Sequence, residues 1–164
     1  MRLEGYGYSQ PGAYFITLVT QHRECLFGEV VGGEMRMNQF GKIVERAWID
    51  LPFHYPHIIL EAFVIMPNHM HGIMDIKVGD DDYCRGGSEI LPYKIKRYGL
   101  SEIVRALKSF SARRINQIRS MKGATVWQRS FYDHIIRDEQ DHRNIWEYIQ
   151  INPQKWQEDE FHAN

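Results

Sequence analysis

His57-Ile58-Ile59-Leu60-Glu61-Ala62-Phe63-Val64-Ile65-Met66, then Pro67-Asn68, then His69-Met70-His71-Gly72-Ile73-Met74-Asp75-Ile76, is the stretch that decides the fold. Two runs rich in β-branched and apolar residues flank a proline-asparagine corner, which reads as strand, turn, strand. Side chains alternate across a strand, so residues two apart share a face. His69 and His71 therefore project together from one side of a sheet, and Met70 points the other way, into the core. Two imidazoles side by side can hold a divalent metal, so the rest of the chain is worth searching for a third ligand and a nucleophile.

Working outward, Ala13 to Thr20 is β-branched and aromatic and reads as a first strand. Gly28 to Met37 reads as a small hairpin turning at Gly32-Gly33. Asn38 can cap a helix running to about Leu51, with Ile43, Val44, Ala47 and Trp48 at helical spacing and Pro52 ending it. The two runs already quoted supply the second and third strands. Ser101 is placed to cap a further helix, in which Ile103, Leu107, Phe110 and Ile118 recur at helical spacing. A strand is expected around His134-Ile135-Ile136. Asp138 can cap a last helix, with Asp141 at its third position, and Asn152-Pro153 stops it. Strand, helix, strand, strand, helix, strand is the split β-α-β pattern, with one helix added at the end. The expected fold class is α+β: a ferredoxin-like, RRM-like antiparallel sheet with helices packed on one face and the other face free for a ligand.

Bulk properties narrow the function classes. The 164 residues fit one domain. Residues 77–99, with Asp80-Asp81-Asp82 and Gly86-Gly87, read as a surface loop, and residues 156–164 as a short tail. No run of apolar residues is long enough for a membrane span and no signal-peptide pattern opens the sequence. Cys25 and Cys84 form no Cys-x-x-Cys pair, so a zinc knuckle is not indicated and a cytoplasmic setting is expected. The net charge of −1 conceals a segregation. Lys94 to Arg129 holds ten basic residues against the single acid Glu102, whereas the remainder carries a charge of −10. Such a basic block is either a solvated helix face or a surface for a polyanion.

The last helix carries the second half of a possible site. Tyr148 and Asn152 are four apart, hence on one helix face one turn from each other. An asparagine amide oxygen can ligate a hard cation. Two imidazoles with one such oxygen leave coordination positions open and suit magnesium or manganese better than a closed zinc site. A tyrosine hydroxyl beside that metal is a candidate nucleophile, since the ion can stabilise charge on a phosphoryl group. Plainer readings stand beside these: Tyr148 as core, Asn152 as a helix stop, and Tyr132 as a rival nucleophile.

The motifs together point further. Pro67-Asn68-His69-Met70-His71-Gly72 resembles the signature of the single-tyrosine HUH transposases (histidine, bulky hydrophobic, histidine). Val126 to Arg137 and Glu147-Tyr148-Ile149-Gln150-Ile151-Asn152-Pro153 resemble segments of the REP-associated tyrosine transposase branch, as does Tyr8 to Thr17. The resemblance implies that His69, His71 and Asn152 bind Mg2+ or Mn2+ and that Tyr148, on a C-terminal catalytic helix, is the nucleophile. It implies attack on single-stranded DNA, beside a hairpin or REP-like sequence, through a 5′-phosphotyrosine link. A tyrosine contributed by a partner chain in a homodimer is compatible with it, and no membrane is involved. Arg105, Lys108, Arg113, Arg114, Arg119, Lys122 and Arg129 become candidates for phosphate contacts. Tyr93, Tyr98 and Trp127 could stack on bases, with core packing the alternative for Trp127. Two rivals remain: a catalytically silent module that binds DNA or RNA hairpins, and a metal-dependent nuclease that uses water.

Overall fold

A computed structural model describes residues 10–77 and 98–162. The elements run β1 (Gly12–Val19), β2 (Gly28–Val31), β3 (Glu34–Met37), α1 (Gln39–Ile49), α2 (Leu51–His54), β4 (Ile58–Ile65), β5 (His69–Ile76), α3 (Leu100–Ile118), β6 (Tyr132–Ile136) and α4 (Glu139–Ile151). A 3-10 segment, Asn152–Glu158, follows α4 directly. The main sheet has the order β4-β5-β1-β6 and every neighbouring pair is antiparallel. Counting only these four strands in chain order, the arrangement is second, third, first, fourth, as the split β-α-β pattern requires. β2 and β3 form a separate hairpin.

Alternation along β1 and β5 divides the molecule. Tyr14, Ile16 and Leu18 are fully buried and stand opposite Met74, Gly72 and Met70 in the β1–β5 register. This face packs on Val44 and Trp48 of α1 and on Ile103, Leu107 and Ile115 of α3. Burial of Met70 alone is worth about 1.5–3 kcal/mol. Gly72 lets the two layers close. A Cβ there would stand 2.6 Å from Cζ2 of Trp48, so the indole lies against bare backbone. Phe15, Thr17, His69 and His71 occupy the opposite face.

That second face is not free, contrary to the expectation. α4 packs across β4 and β5, and the chain continues past Pro153 as the 3-10 segment instead of stopping. Three smaller differences are local. Asp50 closes α1, and Pro52 lies in the first turn of α2, where its missing N–H has no partner to lose. Gly99, not Ser101, precedes α3, and its N–H donates to Glu102 Oε2 at 2.9 Å. Residues 156–162 are packed structure, with Phe161 buried. Asn38 and Asp138 cap their helices as expected, by accepting from Phe40 and Gly41 and from Asp141 respectively. Most of the 77–99 loop, Cys84 and Tyr93 lie outside the described residues.

Candidate metal centre and nucleophile

The corner between β4 and β5 sets the first imidazole. The Met66 N–H donates to His69 O at 2.8 Å, closing the hairpin over Pro67-Asn68. Asn68 is fully buried. Its Nδ2 donates to the carbonyls of Arg23 (3.1 Å) and Phe161 (2.6 Å), which fixes the orientation of the amide. Asn68 Oδ1 is thereby left to accept from His69 Nδ1 at 2.9 Å. The proton of His69 is assigned to Nδ1 by this network, so Nε2 carries the lone pair. That Nε2 is buried and has no hydrogen-bond partner.

His71 is oriented in the same manner from another strand. Thr17 stands opposite it in the β1–β5 register, and its Oγ1 lies 2.7 Å from His71 Nδ1. The Tyr148 hydroxyl lies 3.3 Å from His71 Nε2. Burial, aided by the carboxylates of Asp159 and Glu160, pushes Tyr148 up to about 12, so the phenol is protonated and donates to Nε2. Nδ1–H of His71 then donates to Thr17. The two imidazole centroids are 4.6 Å apart. Phe15 stacks on His71 at 5.2 Å and Phe161 lies 4.7 Å from His69.

Both rings are neutral. Burial pushes His69 down to about 4, against the opposing pull of Asp159. Burial and the neighbouring His69 hold His71 well below the ordinary histidine range. A neutral imidazole is the form a metal takes up: the Nε2 lone pair of His69 is free, and that of His71 is held by the Tyr148 hydroxyl. Asn152 is buried at the start of the 3-10 segment. Its Nδ2 donates to Asp159 Oδ2 at 3.2 Å, and its Oδ1 is a second buried atom without a partner. Orphaned buried polar atoms are costly and uncommon. A cation that accepts the lone pairs of His69 and Asn152 would remove both penalties, so the residues present fit a divalent metal.

The structure therefore brings together His69, His71, Asn152 and Tyr148 within one chain. Tyr132 pairs with Thr17 on β6, which puts it on the same face, but it is 60% exposed and lies two strands from His71. The basic residues are elsewhere. α3 packs on the Met70 face, behind the site, where Arg105, Lys108 and Arg129 line a cleft of about 610 Å³ with residues 123–128. The Lys108 ammonium donates to the carbonyls of Gln128 (2.6 Å), Arg129 (3.3 Å) and Ser130 (3.1 Å). Arg119 braces its own helix end on Asn116 Oδ1. Arg113 and Lys122 line a neighbouring cleft. Trp127 is core, packed on Phe27 and donating to Ser111 Oγ at 3.0 Å. Tyr98 packs edge-on against Tyr55.

Sequence reasoning missed Asn68, Thr17 and Asp159. Asn68 precedes the first histidine and was open to reading as the group that orients it. Thr17 needed the strand register, and Asp159 lay in a segment taken for a tail.

No protein-family model matches the chain. An uncharacterised protein of Haemophilus influenzae is 37% identical over an alignment that takes in all of this chain and 92% of that one. A REP-associated tyrosine transposase of Escherichia coli is 27% identical, over 90% of this chain and 70% of its own length. Among solved structures, a REP-associated tyrosine transposase bound to a REP hairpin superposes with a TM-score of 0.61. It is 25% identical, and the match covers 94% of this chain and 74% of that one. Over nine-tenths of the molecule or more, the chain is similar in sequence and fold to REP-associated tyrosine transposases.

Proposed function

We propose that the chain cleaves and rejoins single-stranded DNA, with a divalent metal, through a covalent link to Tyr148. The observation that carries this is the 3.3 Å contact between the Tyr148 hydroxyl and His71 Nε2, beside a second imidazole and an amide oxygen that have no partners. His69, His71 and Asn152 would hold Mg2+ or Mn2+. When bound, the ion supplies positive charge against the scissile phosphate and the charge that develops on it.

The chain's own residues do the rest. The Tyr148 oxygen bonds to phosphorus as the bond from phosphorus to the 3′-oxygen breaks. The phenol gives up its proton and the leaving oxygen gains one, leaving a 5′-phosphotyrosine and a free 3′-hydroxyl. Attack by a 3′-hydroxyl on that link reverses the exchange, so rejoining needs no external energy source. Asn68 and Thr17 hold the imidazoles in one tautomer and orientation. Phe15 packs edge-on to Tyr148 at 6.2 Å and limits where the phenol can swing. Because Tyr148 meets His71 of its own chain, one chain supplies every group named.

The neighbour of known structure is bound to a REP hairpin, and the substrate proposed here is single-stranded DNA beside a hairpin, in the cytoplasm. Arg105, Arg113, Arg114, Lys122 and Arg129 are proposed to contact its phosphates from the α3 side. Arg119 supports the end of that helix. Lys108 serves by pinning residues 128–130 as the wall of the cleft. The test mixes the protein with Mn2+ and hairpin-flanked single-stranded oligonucleotides and resolves the products on a denaturing gel. A protein–DNA adduct that Tyr148→Phe abolishes is expected. Hairpin binding with no adduct would favour the silent binding module, and cleaved DNA free of protein would favour attack by water.

A further inference from the structure

One charged group at the site has no role in this scheme. Asp159 directly follows the 3-10 segment, and its side chain is 3% exposed. Its Oδ1 accepts from the Phe161 N–H at 2.7 Å, which fixes the carboxylate. Its Oδ2 accepts from Asn152 Nδ2 at 3.2 Å and stands 3.9 Å from His69 Nε2. His69 presents a lone pair there, since its proton is on Nδ1. Among the described residues, no lysine or arginine lies within ion-pair distance of this carboxylate. A buried anion facing a lone pair is a costly arrangement unless a positive charge stands between them.

Two independent facts point to that charge. His69 Nε2 and Asn152 Oδ1, both on buried side chains that border Asp159, have no partners. One donor atom each from His69, His71 and Asp159 also fall within 4.8 Å of one another. We propose that Asp159 is the anionic ligand of the divalent cation, joining His69 and His71, with Asn152 as the residue that aims the carboxylate through Nδ2 and adds Oδ1 as a neutral donor. The proposal rests on the metal reading above and deepens it. It makes the end of the chain part of the metal site, because residues 159–161 are seated by Asn68 Nδ2 on Phe161 O and by Arg23 Nη1 on Glu160 O at 2.9 Å. Carboxylate and amide oxygens suit hard ions such as Mn2+ and Mg2+.

Mn2+ titrations of the full chain, followed by electron paramagnetic resonance, test this with Asp159→Asn, the neighbouring-charge control Glu160→Gln, and His69→Ala. Asp159→Asn should weaken Mn2+ binding by about 10-fold or more, a loss seen even for groups that only support ligands. Glu160→Gln should stay within about twofold, as expected of an exposed charge. Melting curves in chelator check that each variant folds. In a second arm, in a background with Cys25→Ser and Cys84→Ser, Asp159→Cys should gain a thiolate-to-cadmium absorption band with Cd2+ that the cysteine-free parent lacks. Wild-type Mn2+ affinity in Asp159→Asn together with loss in His69→Ala would overturn the Asp159 assignment and leave the metal site standing. So would Cd2+ binding to Asp159→Cys without the band. A wild-type chain that binds no Mn2+ would overturn both readings.

Discussion

Met70 and His71 are neighbours on one strand and face opposite worlds. The Met70 side is an apolar interior closed by α1 and α3, in which Trp48 presses on the bare backbone of Gly72. The His71 side is as deeply buried, at 2% exposure, yet it gathers imidazoles, an amide, a carboxylate and a phenol, and two of its polar atoms have no partner. A face that served stability alone would gain from replacing those groups with hydrocarbon. The difference teaches that one side of this sheet holds the fold together, with the Trp48 indole N–H as an unpartnered donor, while the other gathers unpartnered acceptor lone pairs that a cation can satisfy.

Substitutions on the two sides should therefore fail differently. The largest effect expected is from Met70→Ala, which should cost about 2–5 kcal/mol in a denaturant melt. The fraction that remains folded should bind Mn2+ as the wild type does. His71→Ala should show the opposite pattern, with metal binding lost and stability little changed. If both variants lowered stability and metal affinity together, the two faces would not be separable. Next in size is Asn68→Ala, which leaves His69 Nδ1 without its acceptor. Mn2+ affinity should fall roughly 10–100-fold in a paramagnetic resonance titration. An unchanged affinity would mean that His69 is oriented by its own packing. The smallest effect has the opposite sign. Tyr148→Phe removes a hydroxyl that occupies the His71 Nε2 lone pair, and one lone pair serves one partner. A hydrogen bond of about 1 kcal/mol corresponds to tighter Mn2+ binding by roughly fivefold. Weaker binding would make the phenol a ligand instead of a competitor.

Much of the fold was legible because it rests on alternation. Val64-Ile65-Met66 and His69-Met70-His71 carry a period of two, and Asn38 and Asp138 are short polar residues placed where helices must begin. The candidate site was legible in His69, His71, Tyr148 and Asn152, which lie in short motifs and which the fold brings together. What escaped lay in long-range contacts. Thr17 meets His71 across 54 positions, and Phe161 O reaches Asn68 across 93. Neither leaves a local trace. Asp159 sits beyond Asn152-Pro153, a pair that reads as a stop. Proline does end the α-helix, but its fixed backbone angle is equally at home in the first turn of the 3-10 segment. The carbonyl contacts of Lys108 were hidden for a related reason. Its charge was counted with the basic block, whereas the fold uses that charge on three carbonyls.

The central claim is that the tyrosine beside the orphaned lone pairs is the one that bonds to DNA. The adduct formed with Mn2+ and a hairpin-flanked oligonucleotide can be digested with protease and its DNA-linked peptide sequenced by mass spectrometry. The account predicts the nucleotide on Tyr148, in the peptide that contains Trp146 and Glu147. A nucleotide on Tyr132, the exposed tyrosine of the same sheet face, would contradict it.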